Sequence, residues 1–113
     1  MTGRGTTILL IAGLAGAAAS SAMAQSPSPY DMTYRVGSDT PMRASMSDGG
    51  RVTATIPSGT KGIVMRWCRP EIPFRKWQFG GSAVKRGLLD ARWCEVEAAG
   101  HVGNVKGTAL KPE

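Results

Sequence analysis

The chain is short of the residues that most active-site and metal chemistry needs. It holds two cysteines, Cys68 and Cys94, and one histidine, His101, in 113 residues, with no CxxC or HxxxH pair. A structural zinc ion takes four nitrogen or sulfur ligands at such spacings, so the sequence argues against one, and no cofactor is expected. A glycine-rich phosphate loop and a serine nucleophile motif are both missing. After residue 30 no stretch sustains apolar residues at i, i+3, i+4 and i+7 over three turns, apart from a weak pattern around Ser82 to Leu89. Long hydrophobic runs are missing too: the strongest, ILLIAGLAGAAASS, is short and dominated by Ala and Gly, which gain little by burial in lipid. No cysteine precedes Cys68, which excludes lipid attachment at an N-terminal cleavage site.

That apolar run has a different use. It follows Arg4, and Ala22-Met23-Ala24 then places small residues where a signal peptidase requires them. Residues 1–24 therefore read as a secretory signal peptide, and the mature protein is expected to be soluble, periplasmic or secreted, with no membrane span. What remains is enough for one small domain. Nearly all of the formal charge of +6 stays with it, which favours anionic surfaces without specifying one. Export argues against nucleic acid as the partner in vivo.

An even cysteine count in an exported domain implies a disulfide, and two cysteines allow one pairing, Cys68 with Cys94. In the chain-entropy model, closing that loop stabilises by about 3.5 kcal/mol. Such a link removes both thiols, so a cysteine nucleophile is not available. His101 follows a turn glycine with no acid or nucleophile beside it in sequence and reads as a surface histidine. Asp90, Glu95 and Glu97 read as a solvated strand face. The class expected is a non-catalytic protein.

Residues 25–32, beginning QSPSP, read as an extended tether. Six short β-rich runs follow: TYRV (33–36), PMRA (41–44), RVTATI (51–56), GIVMRW (62–67), RWCEVE (92–97) and HVGNV (101–105). Asp48-Gly49-Gly50, Pro57-Ser58-Gly59 and Ala99-Gly100 supply turns between them. Evenly spaced strands of this kind indicate an all-β sandwich or barrel.

The order Tyr34-Arg35-Val36, Met42-Arg43-Ala44, Ile56-Pro57-Ser58-Gly59-Thr60-Lys61-Gly62, Trp93-Cys94-Glu95-Val96, Gly100-His101-Val102-Gly103-Asn104-Val105 and Leu110 resembles the bacterial SH3-like (SH3b) domain family. The match spans roughly residues 33–111; each motif is weak alone, and their order carries the likeness. It implies a small SH3-like barrel of about five to seven short strands over residues 33–113. It also implies an envelope-binding role. Two departures bear on the ligand groove: Asn104 stands where the family usually places tryptophan, and Ala109 where an aromatic often precedes the last leucine. A third is one long inserted loop, residues 69–91, whose base the disulfide would clamp.

The insertion carries Phe74, Trp77 and Phe79 interleaved with Arg75, Lys76, Lys85 and Arg86. Aromatic rings stack on sugars, and the guanidinium fork matches carboxylate or phosphate. Trp77, Phe79, Arg75 and Lys76 are accordingly candidate ligand residues; the competing reading makes the aromatics a satellite core with the cations as its rim. Trp67 and Trp93 each alternate with a cysteine, so inward sulfurs imply at least one outward indole, and both join the candidates. The function these features favour is a binding module for the cell envelope, contacting wall glycopeptide. The alternative is an interaction protein that docks another exported protein.

Overall fold

The computed structural model describes residues 27–113. The expected signal peptide, residues 1–24, and Gln25 and Ser26 of the expected tether lie outside the described residues. The fold is all-β: among the described residues seven strands, β1 (Thr33–Arg35), β2 (Thr40–Arg43), β3 (Val52–Ile56), β4 (Ile63–Arg69), β5 (Trp93–Ala98), β6 (His101–Lys106) and β7 (Lys111–Pro112), form one sheet in the order β3-β2-β6-β5-β4-β1-β7. Every neighbouring pair is antiparallel. The sheet curls around its core, and at the end of β1 the Val36 N–H donates to the Thr60 carbonyl (3.1 Å) while the Gly59 N–H donates to the Val36 carbonyl (3.0 Å). The turn after β3 is thereby joined to the end of β1, and the concave side encloses one core.

The β5–β6 hairpin follows from local chemistry. Ala99 (φ 51°) and Gly100 (φ 82°) both adopt positive φ, the two-residue turn whose twist matches that of the flanking strands. Along β5, Cys94, Val96 and Ala98 point inward while Trp93, Glu95 and Glu97 point outward, the period of two expected of a half-buried strand. β4 breaks that period. Ile63 and Met65 are inside, yet Cys68 is inside as well, because the register with β5 shifts between Met65 and Trp67 and leaves Arg66 as a bulge. Without the extra residue Cys68 would point to solvent. With it, Cys68 and Cys94 become directly opposite partners, their Cα atoms 4.0 Å apart, and the two sulfurs are bonded within the core.

Residues 69–91 differ from a plain loop. They hold two short helices, α1 (Phe74–Phe79) and α2 (Ser82–Asp90), separated by Gly80-Gly81. A six-residue helix is marginal in isolation, so packing must sustain it. Trp77 on α1 and Leu89 on α2 are fully buried in the same core as the strand residues, and the Trp77 ring lies 6.5 Å from that of Tyr34. Asp90 consequently ends a helix and does not belong to a strand face. Beyond β6, the main chain at Gly107 passes so close to α2 that a Cβ there would strike the Leu89 carbonyl.

The described part of the tether is anchored, because Pro29 is buried and Tyr30 and Met32 pack against the core. The Tyr34 hydroxyl donates to the Pro29 carbonyl at 2.6 Å, and the Ile72 N–H donates to the Tyr30 hydroxyl at 3.3 Å. Burial, with Tyr30 nearby, pushes the Tyr34 phenol well above its ordinary range.

Two outcomes are expected. Non-reducing peptide mapping finds Cys68 linked to Cys94, and replacing both with Ala lowers the unfolding free energy by about 2–5 kcal/mol in denaturant titration. The second concerns pH. The raised Tyr34 value means that the fold favours the neutral phenol, so this contribution is intact below about pH 10 and is lost as pH rises beyond it. Stability measured across that alkaline range should fall less steeply for Tyr34→Phe than for the native chain.

Candidate functional site

The bulge that turns Cys68 inward turns Trp67 outward, and strict alternation in β5 does the same for Trp93. Both indoles therefore sit on the convex face of β4–β5–β6, behind the disulfide. Trp67 keeps 41% of its surface exposed and Trp93 is half-buried. Each is accompanied by a cation. The Arg69 guanidinium carbon lies 5.2 Å from the Trp67 ring centroid, and Lys106 Nζ lies 5.9 Å from that of Trp93.

Carboxylates order this face. Glu95 Oε1 accepts from Trp67 Nε1 at 3.1 Å and pairs with Arg66 Nε at 3.2 Å. Lys106 Nζ is 2.7 Å from Asp48 Oδ1. These pairs are solvent-exposed, so they contribute little to stability and mainly orient their members.

Trp93 and Lys106 form a wall shared by two grooves. One, of about 240 Å³, runs past Asp39, Thr40, Pro41, Arg43 and Ala109; the other, of about 340 Å³, runs past Asp90 and Arg92, and Asp48 and Thr108 border both. A third, about 630 Å³, is lined by Tyr30, Trp67, Arg69, Pro70 and Glu71. This arrangement offers flat apolar rings flanked by both signs of charge. It is suited to grip a ligand that is part sugar or ring and part zwitterion.

The candidate residues separate into three groups. Trp67 and Trp93 come together on the convex face. Arg75, Lys76 and Phe79 are exposed on α1, away from both tryptophans in the chain and on a different element. Trp77 is 0% exposed, which corrects its place among ligand residues: a ring without solvent contact offers no face to a partner, and this indole is core. Its Nε1 has no hydrogen-bond partner among the described residues, and Lys85 Nζ stands 5.6 Å from its ring centroid. The satellite-core reading is corrected as well: Trp77 belongs to the one core it shares with Tyr34 and the inward strand residues, and Phe74 and Phe79 remain exposed. His101 is exposed at the β5–β6 hairpin. Asp39, Arg43, Asp48, Lys106 and Thr108 escaped sequence reasoning. They reach Trp93 only through strand pairing and the turn before β3, and nothing in their local sequence marks them.

No protein-family model, curated protein or solved structure matches the chain.

Trp77 supplies a test of this partition. Trp77→Ala should lower the unfolding free energy by about 3–5 kcal/mol, as expected for an aromatic removed from a packed core. Trp77→Phe should cost less than half as much, since it keeps a ring and deletes an unpaired buried donor. Phe79→Ala should leave the melting temperature within a degree or two of the native value, because an exposed side chain loses few contacts.

Proposed function

We propose that this chain is an exported, non-catalytic SH3-like binding module that contacts the cell envelope, with peptidoglycan or its peptide as ligand and the Trp67–Trp93 face as the binding surface. The observation that carries the reading is the pair of outward indoles, each with a cation beside it, next to grooves that hold acids and bases together. An indole stacks on a sugar face. Arg43 and Lys106 suit the ligand's carboxylates, and Asp39 and Asp48 suit its amino groups. The signal-like residues 1–24 and the Cys68–Cys94 disulfide support an oxidising, extracytoplasmic location.

The resemblance to SH3-like domains gains a physical complement here. Ala109 and Asn104 lack the family's usual groove aromatics, but Ala109 lines the groove whose aromatic wall is Trp93. In this reading Trp93, itself part of the motif order that resembles the family, is the ring this groove retains.

Sedimentation with purified peptidoglycan tests the proposal. Binding should persist at moderate salt, and Trp93→Ala should weaken it by about thirtyfold while the melting temperature is preserved. Binding that disappears once salt is raised would mark simple charge attraction. A stoichiometric exported protein recovered by crosslinking in place of wall material would establish the alternative, an interaction protein.

A further inference from the structure

The helical excursion presents a second surface that shares no residue with the tryptophan face. On α1, Trp77 points into the core, and at 100° per residue Phe79 and Arg75 lie on the opposite side with Lys76 beside them. Phe79 is 64% exposed and Val84, near the start of α2, is 47% exposed. Val84 packs over Gly80, the residue that follows Phe79, where an added Cβ would lie 2.6 Å from Val84 Cγ1.

Three residues after Phe79 the chain enters the rim of a pocket of about 540 Å³, lined by Ser82, Ala83, Arg35, Lys85, Arg86 and Lys111 with Pro112. Arg35 and Lys111 are cross-strand partners on β1 and β7, a like-charged pair whose repulsion an anion between them would relieve. Arg86 is committed internally: its guanidinium donates to the Leu110 and Gly107 carbonyls (2.7 Å each) and pairs with Asp90 at 2.8 Å, which fixes the pocket wall. Lys85 leans over Trp77. None of the lining residues is an acid; the Glu113 carboxylate accepts from the Gly62 N–H at 3.0 Å and interacts with Lys61 and Arg35. The pocket keeps an excess of positive charge.

We propose that this surface docks on an anionic phospholipid bilayer, with headgroup phosphates in the Arg35–Lys111 pocket and Phe79 and Val84 entering the interface. A soluble anion would satisfy the cations and leave Phe79 in water. A bilayer satisfies both features at once, because its phosphates lie directly above an apolar layer. Arg75 and Lys76, flanking Phe79, add further attraction, each cation near an anionic membrane strengthening binding about fivefold.

Vesicle sedimentation decides the matter, using phosphatidylcholine vesicles with about 30 mol% phosphatidylglycerol against pure phosphatidylcholine at about 0.15 M salt. The native chain should bind only the anionic vesicles. Lys111→Glu should weaken binding by about thirtyfold, and Phe79→Ser several-fold with an unchanged melting temperature. Arg51→Glu makes the same change in net charge beside β3, at the other end of the strand order from β7, and should have the smaller effect. Lack of vesicle binding, equal losses from Lys111→Glu and Arg51→Glu, or full binding by Phe79→Ser would each overturn the proposal. So would a melting temperature raised by glycerol 3-phosphate in a protein that ignores the vesicles, an outcome that would mark a site for soluble anions.

Discussion

Cys68 and Cys94 face each other across β4 and β5, strands at the middle of the sheet order, and most of the molecule depends on their sulfurs meeting inside the core. The bond closes the base of a 26-residue separation. It thereby confines an excursion whose two helices are short for autonomous formation. Arg92 reinforces the closure, donating from Nε to the Pro70 carbonyl (2.8 Å) and from a terminal nitrogen to the Leu88 carbonyl (2.7 Å), so that the outgoing and returning legs share one side chain. Within that frame Trp77 and Leu89 join Tyr34 and the inward strand residues, and a domain of modest size gains core volume its strands alone do not supply.

A single inserted residue makes this geometry possible. The bulge at Arg66 changes the phase of β4 midway, so Met65 and Cys68 both point inward although an odd number of positions separates them. The same shift fixes the outer surface. Trp67 leaves the core side and lands next to Glu95, which receives its indole N–H. Core and candidate site are thus two sides of one backbone irregularity, and removing the bulge would exchange them.

The two exposed surfaces have different characters because different elements build them. The convex face rests on paired strands, where cross-strand neighbours hold Trp67, Trp93, Arg69 and Lys106 in fixed spacing, and acids balance most of its cations. Such a surface suits selective recognition of a ligand carrying both signs of charge. The excursion presents Phe79 and Val84 on a helical knob beside a pocket whose cations exceed its acids. Its chemistry suits a broad anionic layer more than a shaped ligand.

The sequence by itself determined six of the seven strands, the turns between them and the staple, because each is set by neighbours in the chain. Alternation marks β5, positive-φ chemistry marks Ala99-Gly100, and two cysteines allow one intramolecular bond. It also placed the two cysteine-flanking tryptophans on the candidate list through the period of two. Tertiary structure alone decided which aromatics are core. Phe74, Trp77 and Phe79 are equivalent in a sequence of mixed rings and cations, and only the docking of α1 against Tyr34 buries Trp77 and leaves its neighbours in water. The bulge at Arg66, the short strand β7, and the convergence of Asp48, Arg43 and Lys106 on Trp93 were likewise settled by pairing between distant segments. Local preference carries no information about which strand a residue will meet, so these features appear only once the sheet has closed around its core.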